Sequence, residues 1–200
     1  MTKPAFTLLA GATFMALTTK AAEAHVGVGD TSGFADGFWH PINGLDHILA
    51  MVLVGFYAAQ LGGAAIWLVP SSFVCLMAFG GALGVAGIQI PFAELGVSLS
   101  VVILGAAVAF GVRVGPAVAV ALIGFFAVFH GHAHGMEMPE TVAGLAYGAG
   151  FVMATALLHA LGLGAGLTLG RPATARRRSL VRSLGGAAAL AGVGLLAGIL

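Results

Sequence analysis

Residues 38–61 read Phe-Trp-His-Pro-Ile-Asn-Gly-Leu-Asp-His-Ile-Leu-Ala-Met-Val-Leu-Val-Gly-Phe-Tyr-Ala-Ala-Gln-Leu. An apolar run of this length is a membrane span, which takes about 20 residues. Yet it opens on His40, Asp46 and His47, and ionisable groups are costly in hydrocarbon and seldom kept there without a function. A second stretch, Phe129-His130-Gly131-His132-Ala133-His134-Gly135-Met136-Glu137, repeats the combination. Between them the two windows hold five of the chain's 7 histidines and two of its 7 acids. Imidazole nitrogens with carboxylate oxygens are the ligand set of a divalent transition metal.

The rest of the chain sets the class. Of 200 residues, 60% are hydrophobic and 8% are charged, and mean hydropathy is +1.06. Soluble domains carry about 25% charged residues, so this chain cannot coat a water-facing globule. Its 32 glycines suit helices packed closely in lipid. A net charge of +1 indicates no partner, and the arginines cluster only at 171–182, between apolar stretches, so nothing suggests nucleic acid. The single cysteine, Cys75, excludes an intrachain disulfide and a thiolate-rich metal site; in its apolar run it reads as a small buried residue.

Residues 1–24 read as a cleavable signal peptide: Lys3 is the positive flank, Phe6 to Leu17 the apolar region and Ala22-Glu23-Ala24 the processing site. The competing reading, a seventh span, is weakened by the short apolar run and the interruption at Thr18-Thr19-Lys20. Residues 25–200 then form one domain. The expected fold is all-α, a polytopic membrane bundle with six transmembrane helices over Phe38–Leu61, Ala64–Ile88, Phe92–Val112, Pro116–His134, Thr141–Leu169 and Val181–Leu200. Gly62-Gly63, Gln89–Pro91 and Arg113–Gly115 break them.

Processing would leave His25 as a periplasmic N-terminus of a bacterial inner-membrane protein. Loops after the odd-numbered spans would then be cytoplasmic, and they hold Arg113, Arg171, Arg176, Arg177, Arg178 and Arg182. The outside segments hold Asp30, Asp36, Glu94, Glu137 and Glu140 with no lysine or arginine, which matches the positive-inside rule. The arginine run is most simply a topology anchor beside anionic lipid.

With that direction, His47 in the inward first span and His130 in the outward fourth lie at one level, about 10 Å from the outer surface. His130, His134 and Glu137 fall on one helix stripe, as do His40 and His47. Asp46 is rotated about 100° from His47. It joins the site directly only if Pro41 or Gly44 loosens the turn, and otherwise it is an acceptor for a ligand N–H. Plainer readings exist for single residues: Glu137 and Glu140 as loop caps, His132 as an interface or pore residue, His159 as a packing group near Thr155 with a relay toward the cytoplasm as its alternative, Trp39 and Trp67 as interfacial or packing aromatics. Five histidines in two matched windows are harder to explain as packing.

The pattern H-x5-D-H in the first span and F-H-G-x-A-H-G-x-E in the fourth resembles the HupE/UreJ family of hydrogenase and urease accessory permeases, over nearly the whole chain. The resemblance implies uptake of nickel, in some members cobalt, for metalloenzyme maturation. It also implies a metal-handling set of His40, Asp46, His47, His130, His134 and Glu137; His132 falls at the variable position. The ligand types fit Ni²⁺, Co²⁺ or Zn²⁺ and disfavour Cu(I). No phosphate-binding G-x-x-x-x-G-K-[ST] motif is present, so the expectation is a facilitated or ion-coupled permease, not an enzyme, with the metal as substrate and no cofactor. Its partners are the cation and the bilayer, with a homo-oligomer left open. An intramembrane zinc enzyme is the rival from another class, although H-E-x-x-H is absent; a metal sensor or store is another. Because each motif opens a group of three spans, the two halves would run in opposite directions, as in inverted-repeat transporters, without obvious sequence similarity between them.

Overall fold

The computed structural model describes residues 33–138, 142–169 and 174–200; the predicted signal peptide, His25, Asp30, Glu140 and Arg171 lie outside the described residues. Among the described residues every regular element is helical: α1 Phe34–Asn43, α2 Leu45–Leu61, α3 Ala65–Val85, α4 Ala93–Phe110, α5 Pro116–Gly135, α6 Val142–Leu169 and α7 Ala175–Leu196. Five are long and apolar enough to cross a membrane, and six spans result if α1 and α2 count as one broken span. Their surfaces carry large apolar side chains such as Trp67, Phe79, Phe110, Leu145 and Leu161, which suits a lipid surround.

Three expectations need correction. The first span is not continuous: α1 and α2 meet at 84° across Gly44, whose backbone is extended (φ −91°, ψ 122°). Pro41 has no N–H to give the last turn of α1, so that turn is weakly held just before the break. The last helix begins at Ala175 rather than Val181, because Thr174 caps it by accepting a hydrogen bond from the Arg177 N–H at 3.3 Å. Its arginines therefore form the first turns of a helix. Cys75 is exposed, since α3 buries one stripe only (Ala65, Val69, Phe73, Met77, Gly80, Gly84) and Cys75 lies on the other side.

The helices are joined by seams in which glycine lets backbones touch. A Cβ on Gly55 of α2 would lie 2.0 Å from the His159 carbonyl oxygen, and one on Gly162 of α6 would lie 2.0 Å from that of Val52. Gly166 meets Phe56 and Ala59 in the same way, so residue numbers rise together and α2 and α6 run parallel. The α3–α5 seam has the same construction: Gly131 against Met77 and Gly81, Gly80 against Val128, and Gly84 against His132 and Gly135. One constant shift along the sequence carries Val52, Gly55, Phe56 and Ala59 onto Val128, Gly131, His132 and Gly135. A second carries His159, Gly162, Leu163 and Gly166 onto Met77, Gly80, Gly81 and Gly84. The α4–α7 seam is antiparallel and maps onto itself, with Gly105 against Gly185 and Ala189, and Gly185 against Gly105 and Ala109. Helices α2 to α4 thus pack against α5 to α7 with a two-fold internal correspondence, despite the lack of obvious sequence similarity.

The two ends differ. Arg113, Arg178 and Arg182 line one small cavity of about 280 Å³ with Gln60 of α2. The histidine windows lie at the opposite end of α2.

Candidate metal centre

Three chain segments deliver three imidazoles to one point. His40 comes from α1, His47 from the first turn of α2 and His134 from the last turn of α5. One ligand atom of each lies within 4.8 Å of the others. Ring centroids are 4.6 Å apart for His40–His134, 4.4 Å for His47–His134 and 5.8 Å for His40–His47. Close backbone approach places α1: Gly37 abuts the Tyr147 carbonyl and Gly150 that of Phe34, so α1 lies against the N-terminal part of α6.

Asp46 does not enter the triad. Its Oδ1 accepts a hydrogen bond from His47 Nδ1 at 2.6 Å. That bond puts the ring proton on Nδ1 and turns the Nε2 lone pair toward the other imidazoles. His47 Nε2 and His134 Nε2 are in direct contact. A shared proton or a cation between two such nitrogens relieves the repulsion of their lone pairs. Gly44 makes room for this: a Cβ there would sit 2.7 Å from His47 Nδ1 and 2.8 Å from Asp46 Oδ1.

His130 lies one turn inward of His134, fully buried, with its ring 5.7 Å from that of His47. Its Nδ1 donates to the Phe126 carbonyl at 3.1 Å, leaving Nε2 unprotonated, buried and without a partner among the described residues. Glu137, in the turn beyond α5, brings Oε2 to 3.7 Å from His134 Nδ1, and its side chain is half exposed. His132 points elsewhere. Its Nε2 meets the Ile88 carbonyl at 2.7 Å, fastening α5 to the turn after α3, where Gly87 takes a left-handed φ of 71°. Trp39 and Trp67 are exposed, 56% and 73%, away from the triad.

Sequence reading missed the aromatic wall. Phe151 packs on His134 at 4.8 Å, His40 at 5.9 Å and His47 at 6.1 Å, and Tyr147 on His40 at 5.9 Å. The signal was available: Tyr147, Phe151, Thr155 and His159 recur every four residues on α6, and all four are buried. From the histidine end, a cleft of about 850 Å³ bordered by His134, Tyr147 and Phe151 extends between α3, α5 and α6 as far as Met77.

Comparison with known proteins agrees with this arrangement of motifs on an apolar bundle. The family model described as HupE / UreJ protein matches residues 13–195. The chain belongs to the HupE/UreJ family. "Protein HupE" of Rhizobium leguminosarum bv. viciae is similar over 143 residues at 51% identity, covering 72% of this chain and 74% of that protein. No solved structure matches the chain significantly. Both HupE/UreJ motifs fall within the matched range, and the structure brings their imidazoles together from opposite halves of the molecule.

Proposed function

We propose that the chain is an inner-membrane permease that moves Ni²⁺, or Co²⁺, from the periplasm to the cytoplasm for hydrogenase or urease maturation, with its mature N-terminus outside. The observation that carries the reading is the buried meeting of His40, His47 and His134 at one end of an apolar bundle. Family membership supports the metal and its destination. The shared arginine end supports the direction, because positively charged loops stay cytoplasmic.

The cation is the substrate. His40, His47 and His134 receive it through ring nitrogens, as Asp46 holds His47 in the tautomer that presents Nε2. His130 Nε2 is the next donor inward, and Glu137 at the mouth attracts the incoming charge. No ATP-cradling motif occurs, so the driving force is the cation's own gradient or a coupled ion.

The test is uptake of radiolabelled Ni²⁺ into proteoliposomes. His134→Ala should abolish it, and Asp46→Asn should lower apparent affinity about tenfold or more, in the range of lost outer-shell hydrogen bonds. Metal binding without flux in the wild type would favour a sensor or store, and turnover of a peptide or lipid would favour an enzyme.

A further inference from the structure

His159 is the polar group that the outer centre does not use. It is 3% exposed, deep in α6, and neither ring nitrogen has a hydrogen-bond partner among the described residues. Burying an unpaired imidazole inside a membrane bundle is unfavourable, and such groups mark ion pathways. Two further observations say what it faces.

The first is position. His159 lies eight residues along α6 from Phe151, which walls the triad, so it is about 12 Å deeper at 1.5 Å per residue. Its ring packs edge-on against Phe73 at 5.0 Å. The other face of the connection is His130, whose ring is 5.5 Å from the same Phe73. One turn outward of His159, the Thr155 hydroxyl donates to Met77 Sδ at 3.8 Å. Met77 also borders the cleft that begins at His134.

The second is the internal correspondence. The shift that carries α6 onto α3 takes His159 to Met77 and Thr155 to Phe73. It therefore exchanges the Thr155–Met77 contact with the Phe73–His159 contact. These four side chains sit on the axis relating the two halves, where inverted-repeat transporters place a substrate site.

We propose that His159 is the nitrogen donor of a second cation station on this axis, with the Met77 thioether and Thr155 hydroxyl one turn outward and the Phe73 ring separating it from His130. The proposal rests on the permease reading above. A dication leaving the outer imidazoles meets low-dielectric surroundings, so it needs a further donor before it reaches the arginine end. Imidazole is a donor suited to Ni²⁺.

The test uses the full chain in proteoliposomes, with initial Ni²⁺ uptake as one readout and Co²⁺ binding to the detergent-solubilised protein, followed by its visible absorption, as the other. His159→Phe fills the space without a donor, and His159→Cys restores a donor of different shape. Expected is an uptake rate about tenfold lower in His159→Phe, equivalent to a barrier increase of one decade. Outer-site Co²⁺ affinity should stay within about threefold of wild type, and His159→Cys should transport faster than His159→Phe. Wild-type uptake in His159→Phe would overturn the second station and leave the permease reading standing. Equal losses in both variants would reduce His159 to packing and overturn it too. Absence of flux in the wild type would remove both readings.

Discussion

At the scale of single residues, the centre works through proton placement. Nδ1 of His47 is committed to Asp46 and Nδ1 of His130 to the Phe126 carbonyl, so each ring turns Nε2 inward. An imidazole ligates only when neutral, so protons compete with the cation for the ring nitrogens. Uptake should accordingly fall as external pH is lowered from 8 to 5. Measuring initial rates at fixed internal pH checks this, and a flat profile contradicts imidazole ligation. The motif spacing made His40, His47, His130 and His134 legible as a group. The role of Asp46 was legible only as two alternatives, because the choice between them depends on backbone geometry at Gly44. Phe151 and Tyr147 carried no chemistry of their own and were passed over for that reason.

At the scale of elements, small residues determine which helices touch. Gly131 is the tightest case: a Cβ would stand 1.8 Å from the Met77 carbonyl oxygen, and backbone cannot step aside as a flexible side chain can. Gly131→Ala should destabilise the bundle by about 2 kcal/mol or more, as overpacking against a rigid neighbour does. Gly164→Ala, with open space around the added methyl, should be neutral or slightly stabilising. Thermal unfolding of the two variants in detergent compares them directly. The apolar helices were readable from hydropathy because lipid demands long apolar runs, but their number was not, since the first expected span is two helices, α1 and α2. Helix ends were less readable. The start of α7 is set by one hydroxyl on Thr174, and the 84° corner at Gly44 is hidden in a run whose composition alone reads as one span. Periodicity was equally silent on Cys75, since α3 is apolar on both its buried and its exposed sides.

At the scale of the whole molecule, the two ends carry opposite chemistry: imidazoles and carboxylates at one, guanidinium groups at the other. In a Cys75→Ser background, a cysteine at Gln89 should react with a membrane-impermeant maleimide in intact spheroplasts, and one at Val112 should react only after permeabilisation. The reverse pattern would invert the proposed direction of transport. The two-fold correspondence of the seams was anticipated by the placement of a motif at the head of each half, but its registration shows only in a few matched small residues, Gly55 with Gly131, Gly162 with Gly80 and Gly166 with Gly84. Contacts built from glycine against backbone leave almost no identity constraint on the opposing side chains, so two halves can share packing without sharing most of their sequence.

The corner at Gly44 has one more outcome. The triad draws a single donor from α1, and that short helix is tethered to the rest of the span through one extended residue. Pivoting there would part only the α1–α6 contacts at Gly37 and Gly150 and reduce the cage from three nitrogens to two, leaving the seams among α2 to α7 in place. The grip on the ion can therefore change while most of the scaffold stays rigid.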